Sequence, residues 1–157
     1  MNKTRTLTAL VENKAGVLNR VASLFRRRRF NIESLTVGHS EKKGLSRMTI
    51  VVDEKTNVDQ VFRQMYKIVE VIKIKKLDEA HAIIRDLALV RVKVSPRTKA
   101  KLMKAVKLFR AKIVSKKPNE YTIEIVGAPE KIDGFLALVK DFGVLEVSRT
   151  GVTAVSD

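Results

Sequence analysis

Few of the 157 residues are of types that carry out chemistry, and their spacing is poor. The two histidines, His39 and His81, fall in a turn and a connector with no second histidine at ligand spacing, so an exposed or locally bonded ring accounts for each. Cysteine is absent, which removes disulfides, thiolate metal sites and a cysteine nucleophile. Glu12 and Glu33 would make a carboxylate pair only if the fold brought them together. No GxGxxG or GxxxxGK[ST] phosphate loop and no GxSxG elbow occurs. The chain is therefore not expected to be an enzyme, nor to hold a metal or cofactor of its own.

Two stretches have the chemistry of binding instead. The loop Asn13, Lys14, Ala15, Gly16 joins a strand to a helix that opens at Val17. Free backbone N–H groups and the positive end of the helix dipole suit a carboxylate there. Gly16 lets a ligand approach the backbone, and the Asn13 amide both donates and accepts. Asn31, beside apolar Ile32 at the start of the next strand, is a second uncharged polar group. Such residues suit a small amino acid, although their spacing alone favours an ordinary strand-to-helix turn with Asn as cap and Gly relieving the turn. The second stretch is Arg26, Arg27, Arg28 and Arg29. Four cations at a helix C-terminus complement the macrodipole, whereas binding single-stranded RNA needs aromatic rings as well, and only Phe30 is adjacent.

The elements that position these residues follow from periodicity. Residues 5–12 (RTLTALVE) read as a strand. Val17, Leu18, Val21, Ala22, Leu24 and Phe25 recur at helical spacing. Residues 31–38 and 45–53 read as strands around a Lys42-Lys43-Gly44 turn, with Met48, Ile50 and Val52 on one face. Asn57 is an N-cap for a helix carrying Val58, Val61, Phe62, Met65, Ile68 and Val69, and residues 71–77 alternate as a fourth strand.

The order β-α-β-β-α-β then repeats. A strand over 87–94 leads to Ser95 as cap and Pro96 as first helical residue. The next helix presents Leu102, Met103, Val106 and Phe109. Strands over 112–116 and 120–126 flank Pro118-Asn119. Pro129 opens a helix with Ile132, Phe135, Leu136 and Val139 inward, and residues 144–152 close as a last strand. The reading is α+β: two ferredoxin-like βαββαβ domains in tandem, spanning residues 1–78 and 79–157 and joined by an ordered hinge at 78–85. One sheet face or edge is left for pairing with another copy.

Composition sets the class. Apolar residues make up 45% of the chain, enough to bury a core. Lys and Arg number 32 against 17 Asp and Glu, for a net charge of +15. The excess is shared evenly between the two halves, unlike a basic arm on a neutral body. The start, MNKTRTLTAL, lacks the apolar core of a signal peptide, and no apolar run approaches the roughly 20 residues a membrane span needs. A cytoplasmic protein is expected. The RNA-recognition fold shares the βαββαβ order, so a basic protein with two such modules is the alternative, although its aromatic sheet motif is missing from residues 45–53 and 120–126.

The segment LVENKAGVLNRVASLF resembles the opening of an ACT domain, a module that binds amino acids. VENKAGVLNRVASLFRRRRFNIESLTVG followed by LSRMTIVV is similar to the small, regulatory subunits of acetolactate synthase (acetohydroxyacid synthase). The likeness continues through LFRAKIV, IDGFL and EVSRTGV. It implies an N-terminal ACT domain, a ferredoxin-like second domain, and a homodimer that binds L-valine between its ACT sheets. By motif, the valine site would comprise Asn13, Lys14, Ala15, Gly16 and Val17, with Asn31 and Ile32 from the neighbouring subunit; Lys14 stands where the family often has another polar or an acidic residue. The partner implied is the large catalytic subunit, carrying thiamine diphosphate, Mg²⁺ and FAD. This chain would raise that subunit's activity and confer feedback inhibition by valine. Thr36, Arg47 and the arginine run are candidates to face that partner.

Overall fold

The computed structural model describes residues 4–157; the first three residues of the segment read for a leader lie outside them. The elements are β1 (Thr4–Glu12), α1 (Val17–Arg27), β2 (Ile32–His39), β3 (Leu45–Asp53), α2 (Val58–Met65), β4 (Val71–Lys76), β5 (Ala82–Lys93), α3 (Lys99–Leu108), β6 (Lys112–Lys117), β7 (Glu120–Gly127), α4 (Pro129–Val139), β8 (Val144–Arg149) and β9 (Thr153–Ser156). Two tandem βαββαβ units result, as the alternating periods required.

The chain divides into two compact units: the first comprises the chain through Ile83 together with Val152–Asp157, and the second is Ile84–Gly151. In the first, an antiparallel sheet has the order β2-β3-β1-β4. The inward alternates Leu7, Ala9 and Val11 of β1 and Met48, Ile50 and Val52 of β3 pack against Val17, Val21, Leu24 and Phe25 of α1 and Val58, Val61 and Met65 of α2. Asn57 caps α2 as expected, its Oδ1 accepting from the Gln60 N–H at 3.0 Å. The terminal stretch returns to this unit: Val152 N–H donates to Ser34 Oγ at 2.8 Å, and Asp157 N–H to the His81 carbonyl at 3.0 Å.

In the second unit the order is β6-β7-β5-β8. Ala88, Val90, Val92, Ile123 and Ile125 face Leu102 and Val106 of α3 and Ile132, Phe135 and Val139 of α4. Phe109 meets Phe135 edge to face at 5.5 Å. The segment expected as a hinge is ordered: Asp78 accepts from Ala80 N–H, Glu79–His81 form one tight turn, and β5 follows directly.

Four details differ from the sequence reading. Helix α2 stops at Met65, because Lys67 and Ile68 donate three residues back and tighten the chain out of the helix; Val69, expected on the apolar face, is 87% exposed. Helix α3 begins at Lys99 rather than Pro96. Thr98 and Lys99 N–H both donate to the Ser95 carbonyl and Thr98 Oγ1 accepts from Ser95 N–H at 3.0 Å, so residues 96–98 form a tight turn that leads into the helix. Met103 lies on its outer side. The last strand breaks after Arg149, where Gly151 takes φ +81°, and the chain resumes as β9.

Candidate functional site

The loop after β1 is built by the strand pairing on either side of it. Glu12 lies opposite Leu45 in the β1–β3 register, which brings the loop beside the β2–β3 turn. Asn13 N–H donates to the Gly44 carbonyl at 2.8 Å, and Lys14 N–H to the Glu12 carbonyl at 3.0 Å. The Lys14 ammonium pairs with the Glu12 carboxylate, so its charge is turned back along the strand. Ala15 is exposed. Gly16 occupies the N-cap of α1 with φ +86°, a conformation that costs an L side chain roughly 1–2 kcal/mol. A Cβ there would meet nothing within 4 Å. Val17 is 3% exposed and anchors the helix in the core.

The start of α1 is open electrostatically. No side chain caps it and its first turn carries no acidic residue. Its leading N–H groups and positive dipole end therefore have no side-chain acceptor, the arrangement that favours a carboxylate from outside.

Asn31 and Ile32 stand elsewhere. They open β2, whose Ile32 lies opposite Val52, whereas the loop sits beside the other end of that strand, near His39. Eight residues of strand separate the two groups by roughly 23 Å. One chain does not bring them together. Strand β2 is also an edge of its sheet, with β3 as its one strand neighbour among the described residues. Ile32 packs on the first core, and the Asn31 amide donates to Glu33 Oε1.

Two contacts were not legible from the motif. His39 ends β2 with Nδ1 3.4 Å from Asn13 Nδ2, and Glu33 holds the Asn31 amide. The Lys42-Lys43-Gly44 turn was the available signal for the first, but the contact also needs the β1–β3 register. Glu12 and Glu33 lie at opposite ends of β2 and form no acid–base pair. Among the described residues no trio of His, Asp and Glu is placed to hold a metal, and no helix is long and apolar enough to cross a membrane.

The arginine run ends α1. Arg28 donates its N–H to the carbonyls of Leu24 and Phe25, Arg29 takes φ +55°, and all four side chains are exposed. Phe30 is used otherwise: its ring meets Phe25 edge to face at 6.2 Å and packs on the core. The central strands β1 and β3 carry no aromatic residue, and Tyr121 of β7 is buried. The stacking platform that RNA recognition on such a sheet requires is missing from these strands.

Comparison with known proteins decides the family. Residues 7–73 match the family described as "AHAS small subunit-like ACT domain", and residues 85–157 match "Small subunit of acetolactate synthase". The chain belongs to the acetolactate synthase small-subunit family. It is 46% identical over 154 residues to the acetolactate synthase small subunit of Mycolicibacterium smegmatis, covering 98% of this chain and 91% of that one. It is 45% identical over 152 residues to the probable small subunit of Archaeoglobus fulgidus, covering 96% and 94%. The crystal structure of the small subunit from Thermotoga maritima superposes with a TM-score of 0.92 at 38% identity, covering 99% of this chain and 98% of that one. The first unit is thus an ACT domain and the role of this small subunit is regulatory. The two-module RNA-binding alternative finds no support.

Proposed function

We propose that this small subunit is the valine sensor of an acetolactate synthase: it binds the catalytic large subunit, raises its activity and makes it sensitive to feedback inhibition by L-valine. The synthase chemistry belongs to the large subunit, which would carry the thiamine diphosphate, Mg²⁺ and FAD. The cysteine-free chain suits the reducing cytoplasm in which this would occur.

One observation carries the reading. The loop from Asn13 to Val17 and the pair Asn31 and Ile32 lie at opposite ends of an edge strand. A second copy, paired antiparallel along β2 about a twofold axis, places the partner subunit's Asn31 and Ile32 beside the loop. The valine carboxylate then meets the open N-terminus of α1 above Gly16, the amides of Asn13 and the partner subunit's Asn31 serve the polar end, and Ile32 offers an aliphatic wall. Two such sites form per dimer.

Valine acts by binding one arrangement of the two sheets better than another, and a differential of about 1–3 kcal/mol is typical of such coupling. The test is reconstitution with the catalytic subunit and titration of synthase activity with L-valine. Wild type is inhibited. Gly16→Asp, which puts a carboxylate where the ligand's is expected, keeps activation and loses inhibition. Asp tolerates the left-handed backbone better than most residues and its Cβ meets open space, so the fold survives. Undiminished valine inhibition of that variant would reject the site.

A further inference from the structure

The first sheet has a second face, turned away from α1 and α2, and one end of it is strongly cationic. The register sets Thr8 opposite Lys75, and Leu10 between Arg47 and Lys73. The turn residues Glu41 and Lys42 close this group into a cavity of about 170 Å³.

Its lining is almost wholly donors. Four cations face a single carboxylate, and that one is committed: Arg47 Nη2 donates to both Glu41 oxygens at 3.0 and 3.1 Å. Lys73 and Lys75 have no carboxylate within ion-pair distance among the described residues, Lys42 senses only the Glu41 carboxylate already taken by Arg47, and the neighbouring Lys76 takes Asp59 at 4.0 Å. Like charges converging on one sheet face destabilise it, so the arrangement calls for a counter-charge from outside. Thr8 adds a second indication. It lines the pocket, and its hydroxyl is reachable from there rather than buried and unpaired, so it can donate to a bound acceptor.

We propose that this cavity is an anion site that binds a single phosphate group, held by the ammonium groups of Lys42, Lys73 and Lys75 and by the Thr8 hydroxyl. A tetrahedral oxyanion offers acceptors in several directions, as a lining of separate donors requires. The volume admits a phosphate with a short organic substituent. The β2–β3 turn that supplies Lys42 also supplies Gly44, whose carbonyl takes the Asn13 N–H. Occupancy therefore bears on the valine loop. That consequence rests on the valine reading; the binding itself does not.

The experiment is calorimetric titration of the full chain with inorganic phosphate and, in a second arm, glycerol 3-phosphate, at ionic strength held constant with chloride. One saturable site per chain is expected. The double variant Lys73→Gln/Lys75→Gln binds at least roughly tenfold more weakly, as losing charge-assisted hydrogen bonds entails. Thr8→Val weakens binding by about threefold or more. Lys104→Gln/Lys107→Gln, with equal charge loss on exposed α3 positions, binds as wild type does. Circular dichroism checks the fold of each variant, and Lys42→Gln, on a turn, supplies an independent loss should a sheet variant be unstable. Tighter binding of glycerol 3-phosphate identifies a phosphomonoester as the ligand class, and equal or weaker binding identifies free phosphate. Absence of a saturable site for both, equal loss in the α3 control, or binding of a single-stranded oligonucleotide alone would overturn the proposal.

Discussion

The Asn31 amide donates to Glu33 Oε1, two residues along the same strand, and this bond fixes which way the amide faces. Glu33→Ala frees it to rotate, so the valine concentration for half-inhibition of the reconstituted enzyme should rise about threefold, with activity in the absence of valine unchanged. Asn31→Ala, which removes the group itself, should raise it further. Elsewhere a single arginine carries a comparable burden for stability. Arg149 reaches the carboxylate of Asp86, whose side chain is 1% exposed, and donates to Asp133 at 2.7 Å; Thr150 Oγ1 lies 3.2 Å from the same buried carboxylate. Arg149→Ala strands a buried charge and should cost about 3 kcal/mol in urea unfolding. Asp86→Ala leaves a cation that solvent and Asp133 still satisfy, so its cost should be clearly smaller. At this scale the sequence was legible where backbone chemistry sets the role: Asn, Gly and an uncapped helix start are properties of residue types. Glu33 was not legible in its actual role, because a carboxylate two residues from an amide along a strand gives no periodic signal.

The four helices and the two sheets were readable from apolar period because each helix buries one stripe and each central strand one set of alternates. The misreadings fall where local hydrogen bonds override that period. Helix α2 carries apolar residues to Val69, yet bonds three residues back end it at Met65. Ser95-Pro96 has the composition of a helix start, but the Thr98 N–H bonds three residues back to the Ser95 carbonyl, so residues 96–98 wind as a tight turn before α3. Asn57 is the case where residue type and geometry agree, its side chain taking one of the orphan donors of α2. Asn57→Ala should therefore destabilise the chain by about 1 kcal/mol, read as a lower urea midpoint with an unchanged slope. Because Asn57 lies near the Thr4–Asp53 end of the first sheet, opposite the Glu12 end that carries the loop, valine inhibition of the folded variant should match wild type.

Both groups of the proposed valine site are legible in one sequence, but their meeting is not, since in the proposed dimer it belongs to a pair of molecules. Within one chain the length of β2 keeps them apart. The arrangement depends on the free edge of β2, which in isolation exposes a row of unpaired backbone groups. Val37, 43% exposed on that strand, tests it. Val37→Asp places a charge of poor strand propensity at the edge, and twofold symmetry applies it twice. At about 1.4 kcal/mol per copy, the dissociation constant of the dimer should rise roughly a hundredfold, read by sedimentation at graded concentrations. The monomer should remain folded, because the core beneath Val37 is formed by β1, β3, α1 and α2. Valine sensitivity should fall in step with dimer content, returning at protein concentrations high enough to restore pairing. A variant that is monomeric yet fully valine-sensitive would place the whole site within one chain, and a variant that remains dimeric would move the interface off this edge.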